Sequence, residues 1–151
     1  MVAASQADIM PADDKRAFAE ERARIDASCR GPVLVFFASS VFWLLLGSIL
    51  ALTASIKLHT PGFLTDVSWL TFGRVRPAHL NTVAYGWASM VGIGMCLWLM
   101  CRLSRVELMY PKMLIAAAGI WNFGVAMGIV GILMGQSTGV EWLERSGRAH
   151  V

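Results

Sequence analysis

Three stretches of this chain contain no Asp, Glu, Lys or Arg: Gly31 to Ile56, Pro77 to Cys101 and Met113 to Val140. At 26, 25 and 28 residues, each exceeds the roughly 20 apolar residues that a helix needs to cross a hydrocarbon core about 30 Å thick. No water is present in such a core, so a crossing segment must satisfy its own backbone N–H and C=O groups, which a helix does. The charged fraction of 15% is well under the roughly 25% usual in soluble domains. These features predict an all-α membrane protein with three transmembrane helices.

The remaining composition excludes several classes. The net charge is only +3, and the basic residues flank the apolar runs with no aromatic stripe among them, so nucleic acid is not an expected partner. Cys29, Cys96 and Cys101 are odd in number and form neither a CxxC pair nor a Cys/His metal spacing, so neither a disulfide framework nor a zinc site is expected. Residues 1–30 lack the basic start and short apolar stretch of a secretory signal, and the first apolar run reads as an uncleaved span.

Along the chain, residues 1–30 form a polar N-terminal extension. Within it, Ala12 to Cys29 predicts a short solvent-side helix, with Asp13 and Asp14 at its start and Phe18, Arg22, Ile25 and Cys29 on one face. Gly31 and Pro32 are expected to end that helix. The predicted order is then span 31–57, interfacial loop 58–76 containing His59, span 77–101, loop 102–112, span 113–136 and polar tail 137–151. Phe63, Trp69 and Phe72 suit the membrane–water interface, and Pro77 suits a first helical turn. In the third span, Gly124 with Gly128 and Gly131 with Gly135 have the small-xxx-small spacing that lets helices approach closely.

Orientation follows from the basic residues. The N-terminal segment has five and the second loop three, against three in the first loop and two in the tail, which places the N-terminus in the cytoplasm.

The chemically unusual stretch is FGRVRPAHLNTVAYGW, Phe72 to Trp87. A neutral imidazole buried without a partner costs about 2–7 kcal/mol, so His79 within a span needs protein, water, a metal or a cofactor beside it. At helical spacing its face continues through Thr82, Val83, Gly86 and Met90, and the glycine leaves a flat surface on which a porphyrin could lie. Arg74 and Arg76 sit at the same helix end, and guanidinium forks suit carboxylates such as haem propionates. Asn81 points roughly away from His79. The residues equally allow a plainer role, in which His79 bonds a backbone carbonyl of a neighbouring helix and the arginines are interface charges.

The wording of this stretch, followed by GIWNFGVAMGIVGILMGQSTGVEWLE, resembles part of the catalytic subunit of cbb3-type cytochrome c oxidases, a branch of the haem-copper oxidases. The resemblance spans roughly Val33 to Glu144, and its most specific element is G-R-x-R-P-x-H at Gly73 to His79. It implies the N-terminal helices of a larger polytopic bundle in a bacterial inner membrane, working with cytochrome c-type subunits in oxygen reduction coupled to proton translocation. It also implies His79 as an axial iron ligand of a low-spin haem b, with Arg74 and Arg76 near the propionates. Two axial imidazoles would leave no open position, so such a haem relays electrons rather than binding oxygen. The second axial histidine, the oxygen-binding haem and the copper ligands would lie on later helices.

That family continues well beyond three helices, whereas after Glu144 this sequence reads RSGRAHV. The expectation is a truncated or frameshifted reading, or a split subunit completed by another chain, and no catalysis by this chain alone. Two alternatives stand beside the oxidase reading. One is a three-helix structural or assembly subunit without cofactor. The other is the equivalent part of a nitric oxide reductase, which the residues present do not separate from an oxidase.

Overall fold

A computed structural model describes residues 11–137, so the tail with His150 and the first ten residues lie outside the described part. The described residues form helices and connecting turns with no strand. Three stretches are long and apolar enough to cross a membrane: Ala12–His59, Phe72–Ser104 and Pro111–Leu133. The three expected spans are all present, with shifted ends.

Helix α1 runs from Ala12 to His59 without interruption, so the expected break at Gly31 and Pro32 does not occur. Pro32 removes the donor that would bond the Ser28 carbonyl. The chain stays helical because both flanks of the proline are held: Ile25, Cys29 and Val33 pack in one cluster with Cys101, and Pro32 itself is buried. Membrane helices tolerate proline where neighbouring helices support the freed backbone in this way. Asp13 and Asp14 lie in the first turn, where their charge complements the helix dipole, but the capping position belongs to Pro11 and no side chain caps the start. His59, expected in the loop, is the exposed last residue of α1.

From Cys29 onward, and with buried Val33 beside them, Cys29, Pro32, Phe36, Ser40, Trp43, Gly47, Leu50, Ala54 and Lys57 form one buried seam of α1. The steps alternate between three and four residues with one exception, the spacing that keeps a stripe facing its neighbours in left-handed helix packing. Large side chains at Phe36, Trp43 and Leu50 alternate with small ones at Ser40, Gly47 and Ala54. The opposite face, with Leu34, Val41, Phe42, Leu45, Ile49 and Leu52, is just as apolar but exposed. Lys57 closes the seam, its ammonium donating to the carbonyls of Phe63 and Leu64 and so tying down the loop that follows.

After a 3-10 turn at Ser68–Leu70, helix α2 (Phe72–Asn81) passes through a π-helical segment, Thr82–Ala88, into α3 (Ser89–Ser104). The helix therefore begins five residues before Pro77, and Arg74 and Arg76 lie inside it rather than ahead of it. Pro77 is accommodated because the carbonyl it leaves without a helical donor belongs to Gly73, which is exposed near the helix start. Helix α4 (Pro111–Leu133) starts with Pro111 in its first turn, where the missing N–H costs nothing. Gly135, at φ 85°, ends it: Gln136 N–H reaches Gly131 O at 2.9 Å and Gly135 N–H reaches Ile132 O at 2.9 Å.

The chain reverses direction between α1 and α2 and again before α4. Phe36, Trp43, Leu50, Val75, Ala78, Met90, Ala118, Ile129 and Ile132 share one core between the helices. A Cβ added at Gly124 or Gly128 would meet nothing within 4 Å, so the first expected glycine pair makes no close helix approach among the described residues. Gly131 is buried, and Gly135 faces Arg74.

The N-terminal third of α1 is more than an appendage, because it packs on the end of α3 and the loop after it. Glu21 holds Arg105 through two hydrogen bonds, Asp26 meets Arg102 at 2.7 Å, and Leu108 N–H donates to Ser28 Oγ at 2.9 Å. The Arg105 guanidinium also covers the Phe18 ring at 5.2 Å. The hydrogen bond from Arg105 holds the Glu21 carboxyl below the usual glutamate range. A carboxylate with a lowered pKa supports the folded state above its unfolded pKa and loses that support as pH falls through the folded value. This contact is therefore expected to loosen only in acid, as pH falls below the ordinary glutamate range toward the lowered folded value. Hydrogen exchange at Val106 should report the loosening, and Glu21→Gln should remove its pH dependence.

Candidate functional site

The site grows from the ten-residue helix Phe72–Asn81. His79 is half-buried, and its Nδ1 lies 2.9 Å from Gly47 O on α1. Protonated at Nδ1, the ring donates to that carbonyl and leaves Nε2 as the unprotonated nitrogen. Glycine at position 47 allows the approach: a Cβ there would stand 3.0 Å from Val83 Cγ2 and 3.4 Å from Thr82 Cγ2.

The face that continues from His79 is occupied by protein. Thr82 and Met90 are fully buried, and a Cβ on Gly86 would fall 2.6 Å from Trp43 Cγ and 2.8 Å from Trp43 Cβ. The expected flat surface for a porphyrin at Gly86 is thus corrected: the glycine is present because the Trp43 ring lies directly on the backbone there. His79 and Gly86 do share a face, but that face packs on α1. The π segment lies between His79 and Ser89, and its wider turn leaves Ser89 N–H and Ser89 Oγ both bonded to Ala84 O. Such interruptions concentrate at functional sites.

Arg74 joins the start of α2 to the end of α4, with Nη1 donating to Ser68 O at 3.0 Å and Leu133 O at 3.2 Å. A cation there also meets the negative end of the α4 dipole. Arg76 is exposed on the same turn of α2. Asn81 is buried and donates from Nδ2 to Pro77 O at 2.9 Å, within its own helix. Arg74 and Arg76 therefore lie toward the start of α2 and His79 in its last turn.

A second polar group lies deeper. Trp43 Nε1–H donates to Asn122 Oδ1 at 2.6 Å, while Asn122 Nδ2 donates to Ser39 Oγ at 3.0 Å and to Ala118 O at 2.8 Å. Trp121 Nε1–H reaches Tyr85 O in the π segment at 2.9 Å. Sequence reasoning missed this network, although Asn122 in an uncharged run was a usable signal, since a polar side chain in a span seeks a partner on another helix. Among the described residues no three His, Cys, Asp or Glu side chains gather as a metal-binding group.

The family model for cytochrome c and quinol oxidase polypeptide I matches residues 31–149. Among curated proteins, the chain is 29% identical over 114 residues to a cytochrome c oxidase subunit 1 homolog of Azorhizobium caulinodans, covering 75% of this chain and 20% of that protein. It is 26% identical over 117 residues to a bacteroid cytochrome c oxidase subunit 1 homolog of Bradyrhizobium diazoefficiens, covering 76% and 21%. It is 23% identical over 109 residues to the cbb3-type cytochrome c oxidase subunit CcoN1 of Stutzerimonas stutzeri, covering 72% and 23%. The chain spans about a fifth of the length of these relatives. No solved structure matches it. With three membrane-length apolar helices and a match over most of its length, the chain is a multi-pass membrane protein that belongs to the cytochrome c and quinol oxidase polypeptide I family.

Proposed function

We propose that this chain is the haem b-binding N-terminal portion of the catalytic subunit of a cbb3-type cytochrome c oxidase. It sits in a bacterial inner membrane with its N-terminus in the cytoplasm, and the remaining helices and cytochrome c-type subunits complete the complex. The observation that carries the reading is the family match over residues 31–149, which includes the whole G-R-x-R-P-x-H stretch; the His79 Nδ1 bond to Gly47 O is compatible with it, as it is with the plainer role. Ligating histidines hold their second nitrogen on a carbonyl or carboxylate, which sets the tautomer and the ring orientation and raises the basicity of the other nitrogen. His79 is arranged in that way, with Nε2 left for iron.

The residues around it have defined roles. Gly47 keeps its carbonyl within reach of the imidazole, and Arg74 has Nη1 on two carbonyls and, among the described residues, no hydrogen bond from Nε or Nη2, the donors that would meet a propionate. Arg76 adds a second cation on the same turn. Gly86 and Trp43 lock the π segment that follows α2 onto α1 and so hold the ring in place. A low-spin haem b held here would supply one-electron relay from cytochrome c toward an oxygen-reducing haem and copper on other helices, a process coupled to proton translocation.

The test is optical. With the chain assembled with the rest of its complex, His79→Ala should abolish the low-spin b-type absorbance and lower haem content while the protein still inserts. A retained signal would refute the assignment. The structural reading gives His79 no role beyond the Gly47 carbonyl, and it predicts that His79→Leu leaves both spectrum and assembly intact.

A further inference from the structure

Where the charged part of α1 meets its apolar part, a groove of about 450 Å³ opens between α1 and the last turns of α3. One end is polar, with Asp26 and Arg30, and the other is apolar, with Val33, Leu34, Phe37 and Trp98. Arg30 is the last charged residue before the 26-residue uncharged run, so the change from polar to apolar lining falls where the chain passes from interface to hydrocarbon. Trp98 suits that same level.

The electrostatics favour an anion at the polar end. Asp26 is already paired with Arg102 at 2.7 Å, and the Arg102 guanidinium also stands 5.3 Å over the Trp98 ring. Arg30 is exposed and makes no ion pair among the described residues. The groove therefore offers one uncompensated guanidinium above an apolar channel, which matches a molecule with a phosphate at one end and hydrocarbon at the other. A soluble anion would find no use for the channel, and a neutral apolar ligand none for Arg30.

We propose that this groove binds one anionic phospholipid, its phosphate on Arg30 and an acyl chain along Val33, Phe37 and Trp98. The reading depends on the membrane crossing and is independent of any haem at His79. The site would stiffen the contact between the α1 extension and the end of α3 by filling the space between them.

The full chain, purified in detergent and equilibrated with equal phosphatidylglycerol and phosphatidylcholine, is examined by native mass spectrometry. One retained phosphatidylglycerol is expected, preferred over phosphatidylcholine by about fivefold, and Arg30→Gln should erase the preference. Val33→Trp, which plugs the apolar end, should lower retention of both lipids. As a check that does not rely on those variants, chain-brominated phosphatidylglycerol should quench wild-type tryptophan fluorescence more than that of Trp98→Phe. Equal retention of the two lipids by wild type, an unchanged preference in Arg30→Gln, or displacement of the bound species by inorganic phosphate would each overturn the proposal.

Discussion

Gly86→Ala should be among the most damaging single-methyl additions this chain can receive. The new Cβ would stand 2.6 Å from Trp43 Cγ, 2.8 Å from Trp43 Cβ and 2.9 Å from Trp43 Cδ2. These atoms are the root of the indole rather than the movable tip of a flexible side chain. The ring is also pinned from its far side by the 2.6 Å bond to Asn122. Relief therefore requires α1 and the π segment to separate, and overpacking of this kind costs about 3 kcal/mol, the upper end of the usual range. The expected result is a clear drop in the unfolding midpoint in detergent, together with weaker haem retention if His79 is a ligand, since Gly47 and Trp43 lie one turn apart on α1. A variant as stable as the wild type would mean that the two helices do not meet at Gly86.

Trp43→Ala should have a comparable effect by the opposite mechanism. Truncating a buried tryptophan leaves a cavity and costs about 3–5 kcal/mol in soluble cores. In a bilayer the part owed to leaving water is reduced, because lipid tails are as apolar as the core, but the lost packing contacts are not recovered. A value near 3 kcal/mol follows, including the separation of Asn122 from its indole donor. The two changes should also be coupled. In a Trp43→Ala background the Gly86 methyl fills space instead of colliding, so the double variant should be more stable than the sum of the single losses predicts, by about 1 kcal/mol or more. Additive losses would show that the glycine and the indole act separately.

Much of this architecture was legible in the sequence. Three uncharged runs longer than a bilayer crossing can only be helices, and GRVRPAH marked the one imbedded histidine and the arginines at its helix end. The helix boundaries were less legible, because Gly31, Pro32 and Pro77 signal ends in water. Here they sit inside helices, supported by the Ile25–Cys29–Cys101 cluster in one case and by an exposed helix start in the other. Gly86 was legible as a site of close approach but not as to what approaches. A porphyrin and an indole ring both need a missing side chain, and only the packing shows Trp43 there.

The sequence by itself determined that the chain crosses a membrane as helices, and it identified the residue types at the mouth of the middle crossing, because hydrocarbon tolerates neither charge nor unpaired backbone. Only the tertiary structure decided which face of each helix is inside. In water the buried face of α1 would be the apolar one, but in lipid Leu45 and Ile49, which are exposed, are as apolar as Phe36 and Leu50, which are buried. Hydrophobicity then carries no direction. What separates the faces is the alternation of large and small side chains at Phe36, Ser40, Trp43, Gly47, Leu50 and Ala54, whose meaning depends on the shapes of the helices they meet.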